Sequence, residues 1–313
     1  MEIKKLDLID CHSRIKPFIH NTPVLTSSYI NELTGAEVYF KCENFQKMGA
    51  FKMRGAANAI LRLSDKQKSN GVVTHSSGNH AQAISLAAKQ IGIRAYIVMP
   101  SNAPKIKKEA VKGYGGELIE CESNLEAREA AAEDIVNSKS ATFIHPSNNI
   151  DVILGQGTAS MELIDQYGSF DHILVPVGGG GLIAGSALAA KYFGDNCSVI
   201  GTEPFEVDDA YRSLISGKIE TNITINTIAD GLRTQLGDKN FPIILDEVNK
   251  IIRITEDEII DSMKLIWQRL KIICEPSCSL PLAGILKNKD EFKGKKIGVV
   301  ITGGNIDLSK LPF

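Results

Sequence analysis

Lys52 stands in the segment GAFKMRGA, flanked by Phe51 and Met53 and bracketed by glycines. A lysine is ordinarily a solvated surface charge. Held in a partly apolar site, however, its pKa falls and its amine becomes a nucleophile that can form an imine with a carbonyl compound. Two further segments read as anion-binding loops. Gly178-Gly179-Gly180-Gly181 follows an apolar run and precedes an Ala-rich one. Four residues without a Cβ let the backbone wrap closely round a phosphate, and the helix that follows would turn its free N–H groups and positive dipole end toward it. Ser76-Ser77-Gly78-Asn79-His80 lies at a similar junction. Its N–H groups and two hydroxyls suit a carboxylate, although plain N-capping by Ser77 or Asn79 competes with that reading.

The glycine run also admits a different chemistry. Gly179-x-Gly181-x-x-Ala184 satisfies the dinucleotide fingerprint, and Glu203 ends the next strand about 20 residues on, where a ribose-binding acid would stand. A nicotinamide dehydrogenase is therefore an alternative from another class. A second anion loop and an imine-forming lysine are what such an enzyme would not need. Glu203 and Asp209 are also six residues apart, and from spacing alone two such carboxylates are more often a solvated loop than a metal site.

The elements that would position these residues follow a strand-loop-helix rhythm. Strands are predicted at Val38–Cys42, Val72–Thr74, Ala95–Met99, Leu118–Cys121, Thr142–Ile144, Ile173–Val177, Val199–Thr202 and Ile297–Ile301. Helices are predicted near Arg54–Leu63, through Ala81, Ile84, Ala88 and Ile91 to a stop at Gly92, after Pro104 in a first turn, and near Leu125–Asn137. Thr255 and Glu258 form a Thr-x-x-Glu capping box ahead of Ile259, Met263, Ile266 and Leu270. Alternation of this kind predicts an α/β fold with mainly parallel twisted sheets covered by helices on both faces. Residues 65–148 form a complete small unit, expected to be a mobile substrate-closing domain. It is inserted between residues 1–64 and 149–313 of a large domain that carries Lys52 and the glycine loop.

Composition narrows the function. The chain has 313 residues, 43% apolar and 23% charged, with a formal net charge of −2. No basic run suggests nucleic acid, and no stretch approaches the roughly 18 apolar residues of a membrane span. The start, MEIKKLDLID, has no apolar core of a secretory signal, so a cytoplasmic location is expected. The six cysteines include no Cys-x-x-Cys pair and read as reduced thiols.

Taken together, TPVLTSS (22–28), FKCENFQKMGAFKMRGA (40–56), VVTHSSGNHAQA (72–83), GQGT (155–158), VPVGGGG (175–181), TEP with VDD (202–209), TIADG (227–231), EP (275–276) and TGGN (302–305) span nearly the whole chain. In this combination the sequence resembles the β-family, or fold type II, of pyridoxal-phosphate enzymes, whose fold is like that of the tryptophan synthase β chain. The resemblance is strongest to eukaryotic-type serine racemases and serine/threonine dehydratases. It implies that Lys52 carries pyridoxal 5'-phosphate as an imine, that Phe51 lies beside the ring, and that Gly178, Gly179, Gly180 and Gly181 hold the phosphate. Asn79 would bond the ring hydroxyl and Thr302 would face the ring nitrogen. Ser76, Ser77, Gly78, Asn79 and His80 would hold the substrate carboxylate, with Ser77 across the substrate from Lys52. Arg128 and Thr234 would help close the small domain. Glu203, the Val207 carbonyl and Asp209 would bind Mg²⁺, or Ca²⁺ or Mn²⁺, which takes Glu203 out of the ribose role.

The resemblance further implies an ATP site from Ser27, Ser28, Tyr29, Lys47, Gln82, Tyr114, Lys271 and Asn305. Met48 departs from the pattern, because the animal racemase has a small hydroxyl residue there, and this counts against nucleotide activation. A homodimer is implied as well. The expected activity is removal of the α-proton of serine or threonine by Lys52. Reprotonation by Ser77 would then give racemisation, and β-elimination would give a 2-oxo acid and ammonia. Threo-3-hydroxyaspartate is the alternative substrate, with Arg128 available for its second carboxylate. A non-catalytic amino-acid-binding protein would leave Lys52 without a purpose.

Overall fold

Short apolar runs such as Ile297–Ile301 become strands that are buried on both faces, as a parallel sheet between helix layers requires. The computed structural model describes residues 3–313; Met1 and Glu2 of the 1–64 segment lie outside the described residues. The strands are β1 (Val24–Leu25), β2 (Glu37–Cys42), β3 (Val72–His75), β4 (Ala95–Pro100), β5 (Glu117–Cys121), β6 (Thr142–Phe143), β7 (His172–Pro176), β8 (Ser198–Pro204), β9 (Val248–Ile254) and β10 (Lys296–Ile301). One sheet runs β1-β2-β10-β7-β8-β9 and the other β5-β4-β3-β6. All neighbours are parallel except β1 against β2. The four-stranded sheet takes its strands from residues 72–143, and the six-stranded sheet from 24–42 and 172–301.

The predicted strands all form, with ends shifted by one or two residues. The Thr255 capping box forms with both reciprocal bonds, and Gly92 ends its helix in the left-handed conformation, φ 81°. Pro104 is the N-cap of the helix Lys105–Gly113 rather than a residue of its first turn. The helix expected near Arg54 starts two residues earlier, at Lys52. Periodicity did not identify the longest helix, Ile150–Tyr167, because GQGT sits in its middle. Interior glycines cost a helix stability, but here they permit close crossings. A Cβ on Gly155 would lie 2.5 Å from the Gly55 Cα, and one on Gly157 would lie 2.5 Å from the Gly185 carbonyl oxygen.

Beneath these crossings lies a buried ionic cluster. Arg54 donates to both oxygens of Glu43 (2.7 and 2.8 Å) and both of Glu162 (2.8 and 2.7 Å). Lys41 Nζ stands 2.7 Å from Glu162. Two cations and two anions thus cancel, which is the condition for tolerating charge in a core. All six cysteines are free thiols. Among the described residues no helix is long and apolar enough to cross a membrane.

Candidate active site

The carboxyl ends of β3, β7, β8 and β10 carry the residues singled out above, as expected for a ligand site on parallel sheets. The end of β10 is stitched to the Lys52 segment. Phe51 N donates to the Thr302 carbonyl (2.9 Å), and Ala50 pairs with Gly303. Lys52 opens the helix Lys52–Leu61. Its Nζ donates to the Pro146 carbonyl (2.8 Å) and lies 5.1 Å from the centre of the Phe51 ring. The side chain keeps some access to solvent. Even so, burial of the amine pulls its pKa down to about 8, with the Glu275 charge acting in the opposite direction.

The glycine run joins β7 to the helix Gly181–Phe193. Gly180 caps this helix at φ 79° and brings no side-chain bond, so the first-turn N–H groups lack a side-chain cap. Packing also demands the glycines. A Cβ on Gly179 would meet Ser147 Oγ at 2.4 Å, and one on Gly180 would meet Asn240 Oδ1 at 2.7 Å. Asn240, buried, donates to the Gly179 carbonyl (2.8 Å) and so fixes the turn. Thr234 Oγ1 lies against the same turn, 3.2 Å from a Cβ built on either Gly178 or Gly179.

Neither Ser77 nor Asn79 caps the helix Asn79–Ile91. Gly78 is its N-cap, without a side-chain bond, so the capping explanation for this loop fails. The Ser76 hydroxyl accepts from Gly78 N (3.3 Å). The half-buried Ser77 side chain makes no hydrogen bond among the described residues. Asn79 Nδ2 donates to both oxygens of Glu275 (2.9 and 3.1 Å), and its Oδ1 accepts from Asn305 (2.9 Å). Burial lifts the Glu275 pKa to about 7. His80 is buried, and burial holds it neutral. Its Nε2 lies 3.3 Å from the Ile144 carbonyl, which can only accept, so Nδ1 is left as a buried acceptor without a partner. The Thr302 hydroxyl lies 3.2 Å from Cys278 Sγ. Arg128 is turned along its own helix, donating to the Asn124 carbonyl (3.2 Å).

Glu203 and Asp209 are not on a solvated loop; both are fully buried. Glu203 accepts from Ala210 N (3.0 Å) and Tyr211 N (2.8 Å), one bond at each carboxylate oxygen. Asp209 Oδ2 accepts from Leu236 N (3.1 Å), while its Oδ1 has no partner. Burial, and for Glu203 also the neighbouring Asp209 charge, raises both pKa values, that of Asp209 to about 6. Val207 is buried between them in sequence. No cluster of three or more His, Cys, Asp or Glu suited to a metal occurs among the described residues. A cation here would therefore rely on two carboxylates, a carbonyl and water.

The residues implied for ATP lie on several elements. Ser27 caps the helix Ser28–Thr34, which carries Ser28 and Tyr29; Tyr114 caps another helix, and Gln82 is buried in a third. Lys47 lies in a 3-10 turn and Lys271 ends a helix at φ 59°. Asn305 bonds the Met48 carbonyl and Asn79. Sequence reading missed Pro146, Ser147, Asn240 and the role of Glu275, whose partners are distant in the chain.

Residues 15–303 match the model of a family described as pyridoxal-phosphate dependent enzyme. The serine racemase of Dictyostelium discoideum is 51% identical over 309 residues, covering 97% of this chain and 95% of that protein. Its crystal structure superposes with a TM-score of 0.93, covering 97% of this chain and 98% of that one. The beta-hydroxyaspartate dehydratase of Paracoccus denitrificans is 47% identical, covering 98% of each chain.

Proposed function

This chain belongs to the pyridoxal-phosphate dependent enzymes, and from that premise we propose that it is a serine racemase and/or serine/threonine dehydratase. The observation that carries the reading is the Lys52 amine. It has a lowered pKa, is held by a single neutral carbonyl, and belongs to the segment that Phe51 and Ala50 tie to the end of β10.

The residues present fit the cofactor. An uncapped helix N-terminus behind a glycine turn suits its anionic tail, and Lys52 suits its aldehyde. In this reading Asn79, which also bonds Glu275 and Asn305, serves the ring hydroxyl, and Thr302 the ring nitrogen. When bound, the cofactor supplies a conjugated ring that takes up the charge left as Cα loses its proton. Lys52 Nζ removes that proton on one face. Ser77, free of protein partners, returns a proton on the other face and so inverts the centre. A serine hydroxyl is a weak acid, so inversion depends on how closely Ser77 is placed. Where the β-hydroxyl leaves instead, the products are a 2-oxo acid and ammonia. The loop from Ser76 to His80 holds the substrate carboxylate, and Arg128 and Thr234 help the 65–148 unit close over it.

Mg²⁺ at Glu203, Asp209 and the Val207 carbonyl is part of the reading. The unpartnered Asp209 Oδ1 supports it, and Mg²⁺ commonly keeps several waters. A homodimer is part of it too. Phe45 and Ile273 are 47% and 48% exposed, and Asn44 donates to the Ile273 carbonyl (3.1 Å), which puts two apolar side chains at the surface for a second copy to cover. Threo-3-hydroxyaspartate is the second substrate reading, favoured by the 47% identity to the Paracoccus denitrificans enzyme.

The test is direct. The purified protein's visible spectrum is recorded before and after borohydride. L-serine, D-serine, L-threonine and threo-3-hydroxyaspartate are then supplied in turn, with and without Mg²⁺. Oxo acid and enantiomer exchange from serine are expected. Turnover of hydroxyaspartate alone would move the assignment to the second reading.

A further inference from the structure

The segment 144–149 carries the chain from β6 back to the helix Ile150–Tyr167. Two of its residues touch the site described above. The Pro146 carbonyl receives the Lys52 amine (2.8 Å). The buried Ser147 backs the glycine turn, its Oγ 2.4 Å from a Cβ built on Gly179. The backbone shows what aims that carbonyl. A proline ring fixes its own φ, and the residue before it is pushed to extended conformations. The main freedom left is the Pro146 ψ angle. His145 Nδ1 accepts from Ser147 N (3.2 Å) and from Asn148 N (2.8 Å), and these two bonds close the turn round Pro146. Neither N–H meets a backbone carbonyl among the described residues.

An imidazole that accepts at Nδ1 carries its proton on Nε2, and a second proton would remove the acceptor. Burial, helped by His75, Lys52 and Lys239, pulls the His145 pKa down to about 4 against the opposing charge of Asp238. The acceptor therefore persists at neutral pH. The ring is packed as well as bonded. It stands edge-on to His75 at 6.4 Å and to Phe143 at 6.2 Å, and those two rings stack at 5.3 Å. His75 ends β3 immediately before Ser76. We infer that His145 is a positioning residue: its Nδ1 fixes the turn that presents the Pro146 carbonyl to Lys52 and sets Ser147 against the Gly179 turn. This rests on the cofactor reading given above.

Two substitutions separate bonding from packing. His145→Phe keeps an aromatic ring beside His75 and Phe143 but has no acceptor. His145→Asn loses the ring but keeps an acceptor, since asparagine side chains bond their own backbone two residues on. Each full-length, cofactor-free protein is titrated with pyridoxal phosphate and its visible absorbance followed. His145→Phe is expected to weaken cofactor binding roughly tenfold, the scale of one or two lost hydrogen bonds. His145→Asn is expected to stay near the parental affinity. The reverse order, or equal weakening in both, would assign the ring to packing alone and overturn the inference. Parental affinity in His145→Phe would overturn it too. Thermal melting checks folding, and if one variant does not fold the other decides by the same criterion. No absorbance change with the parental protein would instead remove the cofactor reading itself.

Discussion

Asn79 bridges to Glu275 across 196 residues of sequence, donating from one Nδ2 to both carboxylate oxygens at 2.9 and 3.1 Å. The bond links the helix that follows β3 of the four-stranded sheet to the segment that leads toward β10 of the six-stranded one. The charge of Glu275 also acts on Lys52, favouring the charged form of its amine.

Glu275 should give the protein a pH-dependent stability. Its folded pKa, raised to about 7 chiefly by burial, stands above the ordinary 4.5. The stabilising share is therefore full below pH 4.5 and is lost as pH rises through about 7. The shift corresponds to roughly 3 kcal/mol. Thermal melting of the cofactor-free protein between pH 5 and 8 should show the decline, and Glu275→Gln should flatten it. An equal slope in the variant would assign the effect to other groups.

Lys52 should behave as a neutral nucleophile near physiological pH. With a pKa of about 8, about a quarter of it is uncharged at pH 7.5, against about one part in a thousand for an ordinary lysine. The rate at which the cofactor-free protein binds pyridoxal phosphate should rise with pH and level off above about 8. Lys52→Ala should lose both the visible absorbance of the bound cofactor and all turnover.

Ser77→Ala should separate the two reactions. Racemisation should vanish while dehydration of one serine enantiomer persists. Chiral chromatography of serine incubated in deuterium oxide reads both, and interconversion at the parental rate would remove Ser77 from the acid/base role.

Arg54→Met should destabilise the fold by about 3–5 kcal/mol, because Glu43 and Glu162 would remain buried with Lys41 as the nearest cation. Chemical denaturation measures this. A change below about 1 kcal/mol would mean that water reaches the cluster.

By itself the sequence determined the strand-and-helix rhythm, the two loops at strand ends and Lys52 as the candidate reactive lysine. Each depends on neighbours a few residues away: apolar runs, glycines, a capping box. Tertiary structure alone decided what those loops meet. Lys52 finds its carbonyl acceptor 94 residues on, at Pro146, and Asn240 fixes the Gly179 turn from 61 residues away. The glycines of GQGT read as a break in helical pattern, yet they lie inside a helix where Gly55 and Gly185 press against them. Their purpose is close approach between chain segments, and no local pattern records which segment will arrive. Burial likewise turned Glu203, Asp209 and Glu275 from ordinary acids into groups with raised pKa values, because desolvation depends on everything packed around a side chain.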